Sequence, residues 1–271
     1  MKEITVINQR HRHLFWRKYA AAGVVFIFAV LLYAKTFTFD FVWDDYGAIV
    51  HNSRVHSPAL ALKSFVAPIQ VTDNKYDPGQ MVRYNYRPLR TLVHSIVWKF
   101  AGCDPRFFHL LNILGHALVS SMLFLVLHRL IRQILPALGG ALLFAAHPVL
   151  TETVCWAKNF EDMLAAFFLL LGIYLILVMR RTQANIQNRY TVCAVICFGL
   201  ALVSKISVAF FPVFLALQWL LEKKTDTAPR MFSGISGRRV GVLAGIMGGI
   251  TVCALVLRHA TVGRLSQSGY V

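Results

Sequence analysis

Acid and charge are what this chain has least of. Twelve Asp and Glu stand against twenty-eight Lys and Arg, and charged residues make up 15% of the whole, where a soluble domain carries about 25%. With 57% hydrophobic residues gathered in blocks, such a chain cannot clothe a soluble globule, and the blocks are long enough to cross a bilayer. Outside the loops between those blocks there is no contiguous basic stripe. The net charge of +16 is therefore not read as a nucleic-acid footprint, because membrane proteins collect Lys and Arg in their cytoplasmic loops. Zinc-like cysteine spacing is absent. Cys193, Cys197 and Cys253 lie in apolar runs as small hydrophobes, while Cys103 and Cys155 fall in separate loops and their pairing stays open. No small-residue cleavage site follows the first apolar run, which leads into Lys35-Thr-Phe-Thr-Phe, so it reads as a retained span. Repeats and low-complexity tracts are also missing, which leaves residues 1–271 as a single membrane domain.

A hydrocarbon core about 30 Å thick takes about 20 helical residues. The sequence thus predicts an all-α polytopic membrane protein with about seven spans, near residues 19–34, 107–127, 135–150, 162–179, 191–204, 206–221 and 240–257. Thr191 to Leu221 as one helix would reach about 46 Å, so it is divided at Lys205. Residues 86–101 imitate another span but hold Arg87, Arg90, His94 and Lys99. Leu89, Leu92, Val93, Ile96, Val97 and Phe100 repeat there as one helical stripe, with Arg87, Arg90, Thr91, His94 and Ser95 on the remaining surface. That pattern predicts an amphipathic helix lying flat in the interface.

Charge supports the flat placement. It puts the basic tail 1–18 (Lys2, Arg10, Arg12, Arg17, Lys18) on one face with three loops, bearing Arg129 and Arg132; Arg180, Arg181 and Arg189; and Lys223, Lys224, Arg230, Arg238 and Arg239. The positive-inside rule makes that face, and the N-terminus, cytoplasmic. Nine of the twelve acids fall opposite, mostly in a long first loop, 35–106, and a short second loop, 147–161.

Those two loops hold the candidate chemistry. The first opens with Phe39-Asp40-Phe41-Val42-Trp43-Asp44-Asp45-Tyr46; paired carboxylates beside aromatics suit a general base, a metal ligand or an acceptor of sugar hydroxyls, and equally a topological anchor. It ends in Asn85-Tyr86-Arg87-Pro88-Leu89-Arg90, where Arg87 can meet an acid or a lipid phosphate, or simply snorkel to the interface. The second loop carries His147, Glu152, Glu161 and Asp162 on the same face; a lone His147 also suits a structural cap. Lys205 interrupts an apolar block, where an ionisable group is functional by default and can hold a lipid-linked phosphate.

Five stretches, in order, resemble the multispanning GT-C glycosyltransferases, particularly the O-mannosyltransferase-like region of transmembrane and tetratricopeptide-repeat proteins. They are Phe41-Val-Trp-Asp-Asp-Tyr, Tyr86-Arg-Pro-Leu, Phe108-His-Leu-Leu-Asn-Ile-Leu-Gly-His-Ala, Leu143-Phe-Ala-Ala-His-Pro-Val-Leu-Thr-Glu-Thr-Val-Cys-Trp and Leu202-Val-Ser-Lys, spanning about residues 39–215. The resemblance implies an active site on the lumenal or periplasmic face, and a hexose, mannose among the candidates, taken from a polyprenyl-phosphate donor to a protein or glycan hydroxyl. It assigns Asp44 and Asp45 to catalysis, places Lys205 near the carrier phosphate, and carries over to Arg87, His147 and Glu152 by motif position, with Glu161 and Asp162 as supporting acids. Two positions depart from the family pattern: Ile206 stands where Glu usually follows the lysine, and Asn159-Phe160-Glu161-Asp162 replaces the usual Gly-Arg before the second acid. Further spans and a C-terminal repeat domain are expected elsewhere in such proteins, so the chain also fits a fragment or an inactive scaffold. A transporter or flippase using Lys205 is the remaining alternative, and it finds only one helix break in place of the paired breaks of inverted repeats. The acids suit Mg²⁺ or Mn²⁺ as well as direct base chemistry, so metal use stays open. The membrane implied is a bacterial inner membrane or the endoplasmic reticulum.

Overall fold

The computed structural model describes residues 2–66, 86–180, 184–224, 231–232 and 234–267, with side chains over 16–66, 86–180, 186–224, 231–232 and 234–259. Asn85, Arg181 and Arg230 lie outside the described residues, as do the side chains of Lys2, Arg10 and Arg12. The α-helices run in the order α1 (Lys2–Tyr33), α2 (Pro58–Lys63), α3 (Pro88–Ala101), α4 (Pro105–Ile131) and α5 (Ile134–Ala145). They continue through α6 (Thr151–Cys155), α7 (Phe160–Met179), α8 (Ala184–Ser204), α9 (Phe211–Lys224) and α10 (Gly237–Gln267), with no strand among the described residues. Among the described residues six helices are long and apolar enough to cross a membrane, and the bent pair Ile134–Ala145 with Pro148–Cys155 makes a seventh if counted as one span. The protein is an all-α, multi-pass integral membrane protein. Its outer surface agrees, since Leu31, Leu135, Leu143 and Val252 stand exposed on these helices where lipid would cover them.

The apolar windows locate the spans better than their ends. α8 begins at Ala184, well before the expected Thr191, and α10 runs from Gly237 to Gln267, because a helix continues into polar residues once it leaves the hydrocarbon. The expected span 135–150 is corrected more sharply. α5 stops at Ala145 and bends by 48° into Pro148–Cys155. Pro148 has no N–H and disfavours helix at the residue before it, so His147 turns extended at φ −68° and ψ 126°. His116, on α4, meets the freed Ala145 carbonyl through Nε2 at 3.0 Å. The break expected at Lys205 is present: α8 ends at Ser204, Lys205 is extended, and a short 3₁₀ turn, Ile206–Phe210, leads into α9.

Packing follows residue size. α7, α8, α9 and α10 enclose the largest core around Ile176, Leu177, Phe198, Leu215, Leu243 and Met247. α1, α4 and α5 approach through alanines, with Ala29, Ala117 and Ala145 in one buried contact and Ala21, Ala22, Ala137 and Ala141 in another. Small residues allow the close backbone approach that drives helix association where lipid is as apolar as leucine. α4 and α7 touch at Gly115, where an added Cβ would lie 2.8 Å from Phe160 Cε2.

α3 is built inside out. Its 14 residues span about 21 Å, too short to cross. The polar side, opposite the apolar stripe, is the buried one: Arg90, Thr91, His94 and Ser95 face protein, while Ile96 and Phe100 of the stripe are exposed. An interfacial helix with lipid on one side and a polar site on the other has this polarity. Gly102, at φ +61°, ends it, and Asp104 then caps α4 by accepting from Arg106 N–H at 3.0 Å.

Candidate functional site

Val42 to Asp45 form a tight turn. Asp45 N–H donates to the Val42 carbonyl at 2.9 Å, and Val42 N–H donates back to Asp45 Oδ2 at 3.0 Å. The reciprocal clamp holds Trp43 at φ +45°, a left-handed conformation that costs an ordinary residue about 1–2 kcal/mol. The other oxygen of Asp45, Oδ1, accepts Lys158 N–H at 2.9 Å, which ties the first loop to the second. Asp45 is fully buried. Burial pushes its carboxyl above the ordinary value, the two N–H donors and the Lys158 charge pull it down, and Asp44 adds to the rise.

The acidic pair is thus split by environment. Asp44 is exposed at the tip of the turn and pairs with Lys158 Nζ, which also lies 4.1 Å from the Trp156 ring centroid. From beneath, Asn112 on α4 donates to the Trp156 carbonyl at 2.7 Å and the Val154 carbonyl at 3.3 Å, fixing the second loop to the bundle.

The start of α7 gathers the remaining charges. Glu161 is buried and pairs with Arg87 and, at 3.4 Å, with Arg90. Asp162 pairs with Lys205 from the α8 break. Both acids lie in the first turn of α7, where the helix dipole favours negative charge. Burial lowers the Arg87 guanidinium from its usual range, Asp162 draws it back up, and Arg258 on α10 lowers it further by repulsion. Residues 158–162 therefore bind partners from the first loop, α3 and the α8 break, and bring Asp44, Arg87 and Lys205 to one end of the bundle.

Two expected residues stay apart. His147 is exposed and its Nδ1 accepts Val149 N–H at 3.2 Å, a local cap. Glu152 is exposed in the first turn of α6 and joins no ion pair among the described residues. Nor does the acidic pair form a metal-ligand set. Both Asp45 oxygens are occupied by N–H donors and Asp44 is on Lys158, and no group of three His, Cys, Asp or Glu gathers among the described residues. All five cysteines are free thiols, with Cys155 Sγ 3.4 Å from Thr36 Oγ1.

The chain is 34% identical over 132 residues to mouse Protein O-mannosyl-transferase TMTC3, covering 48% of this chain and 14% of that one. It is 29% identical over 170 residues to Xenopus laevis Protein O-mannosyl-transferase tmtc2, covering 63% and 20%. With human Protein O-mannosyl-transferase TMTC4 the figures are 33% over 179 residues, covering 58% and 22%. Its relatives are protein O-mannosyl-transferases. The resemblance drawn from the five motifs is borne out, although the chain spans only about a fifth or less of those relatives' length. No family model and no solved structure matches.

Several residues of the site are not among the candidates the sequence singles out. Lys158 was legible as the one cation in an otherwise acidic second loop, and Asn112 as a polar residue within a span. Periodicity groups Arg90 with the polar side of α3, and nothing in the sequence pairs it with Glu161. His94 is also hidden: it is fully buried between Phe108 and Phe160, and neither ring nitrogen meets a hydrogen-bond partner among the described residues.

Proposed function

We propose that this chain is the donor- and acceptor-handling part of a membrane glycosyltransferase. It would move a hexose, mannose first among the candidates, from a polyprenyl-phosphate carrier to a protein hydroxyl on the non-cytoplasmic side. The relatives' names support the sugar and the protein acceptor. The observation that carries the reading is the exposed Asp44 carboxylate, held on a clamped turn and joined through residues 158–162 to the end of the bundle that carries Arg87 and Lys205.

Asp44 accepts the proton of the acceptor hydroxyl as its oxygen attacks the anomeric carbon. The bond from that carbon to the carrier phosphate breaks, and the phosphate leaves with the bonding pair. Arg87 and Lys205 offset the charge it acquires. Arg87 and Lys205, paired with Glu161 and Asp162, stand at the same end of the bundle, a cationic setting that suits an anion. Asp45 positions Asp44 and does not titrate in the step. Animal relatives favour the endoplasmic reticulum over a bacterial membrane, with the N-terminus cytoplasmic by the positive-inside rule.

The test is transfer of radiolabelled mannose from polyprenyl-phosphate mannose in vesicles holding the full-length protein. Wild type should transfer and Asp44→Asn should not, while keeping its thermal stability. A folded wild type that is inactive with every hexosyl donor would replace this reading with a scaffold.

A further inference from the structure

Beside Asp44 stands a feature that neither proton transfer nor phosphate binding uses. Trp43 is 84% exposed, yet its backbone is held in the left-handed region at φ +45°. Strain of this kind persists where the surroundings enforce it, and it gathers at sites that must present a side chain in a fixed direction. Here the enforcing groups are the two bonds between Val42 and Asp45 and the bond from Lys158 N–H. Trp43 in turn meets Trp156 edge to face, ring centroids 6.3 Å apart at 77°. Trp156 is fixed by Asn112 through its carbonyl and capped by Lys158 over its ring.

The two indoles make a corner with Asp44 and Lys158 at its edge. We propose that this corner is the platform on which the acceptor polypeptide lies, with its hydroxyl toward Asp44; the proposal rests on the transferase reading above. Two observations favour a polypeptide. Tryptophan supplies broad, rigid contact at little entropy cost, the usual means of gripping polypeptide. The Asp44–Lys158 pair at the edge belongs in water, so the corner sits at an aqueous rim and not among acyl chains, and an aromatic bilayer anchor has no need of a strained turn.

The backbone suggests a clean variant. Glycine is at ease at φ +45°, so Trp43→Gly removes the indole and keeps the turn. The full-length protein in phosphatidylcholine vesicles is titrated with a dansyl-labelled Ser/Thr-rich peptide, read by energy transfer from tryptophan and by anisotropy, and acceptor and donor KM are measured in parallel. Trp43→Gly should weaken peptide binding and raise the acceptor KM roughly ten-fold, as loss of a tryptophan anchor does, with the donor KM unchanged and Trp43→Phe recovering part of the loss. Unchanged peptide binding, with Trp43 fluorescence quenched by brominated lipid, would make the residue a bilayer anchor and overturn the proposal. Wild type that binds no peptide would overturn it too. Trp43-dependent peptide binding by a wild type that transfers no sugar would uphold the platform and sink only the transferase reading.

Discussion

Replacing Asp45 by Asn tests the division of labour within the acidic pair. In the native turn both carboxylate oxygens accept backbone N–H groups, Val42 at 3.0 Å and Lys158 at 2.9 Å, in a fully buried place. Asparagine offers one oxygen and an NH₂, so one of those donors must face another donor. The change relieves the cost of burying a charge but strands a buried N–H, worth about 1–3 kcal/mol. At about 1.4 kcal/mol per tenfold, the turn should open roughly 5- to 150-fold more often. Hydrogen exchange in detergent micelles reads this directly: the Val42 and Lys158 amides should lose protection in Asp45→Asn and keep it in Asp44→Asn. Both variants should lose transfer, the first by misplacing Asp44 and the second by removing its carboxylate. Wild-type protection in an inactive Asp45→Asn would show that Asp45 acts chemically and refute the clamp.

Other outcomes follow from burial. Burial, and then Arg90, holds His94 well below the ordinary histidine value of 6.5. Below that pH the unfolded chain takes up a proton that the native site refuses, so stability should fall on acidification by up to about 1.4 kcal/mol per pH unit. Melting temperatures at pH 7.5 and 5.5 should diverge for wild type and move less for His94→Phe; equal shifts would exclude His94 as the source. Glu161→Gln leaves Arg87 and Arg90 without their buried counter-charge and should cost about 3–5 kcal/mol, a loss that thermal unfolding would fail to show if the pairs were idle. Gly115→Ala drives a methyl against Phe160 and Met163 and should cost about 1–3 kcal/mol; an unchanged melting point would mean that α4 and α7 separate freely.

How much was legible depended on whether the cause was local. Apolar runs fixed the spans because a bilayer imposes its thickness on every residue within it. Lys205 marked its own helix break because a charge in the middle of a continuous span would have to be buried in hydrocarbon at high cost. Pro148 carried the signal for the bend after α5, but the hydropathy of 135–150 outweighed it. The polar face of α3 is legible as a group but not as a buried one, since periodicity says which residues share a side and not what that side meets. Adjacent Asp44 and Asp45 looked equivalent until the turn buried one and exposed the other. The pairings of Lys205 with Asp162 and of Asp44 with Lys158 join residues 43 and 114 apart, distances over which spacing carries no information.

Those separations also order the birth of the protein. Arg87 and Arg90 leave the ribosome long before Glu161 exists to neutralise them, and α3 at that moment has no protein to receive its polar side. It must wait at the membrane surface, its charges solvated, until α7 has been inserted; Asp162 then waits in turn for Lys205. Chains stalled before residue 161 should therefore expose α3 to protease or to a headgroup probe, and longer chains should shield it. The hub at the start of α7 can therefore be complete only once α3, α7 and the break after α8 have all been made.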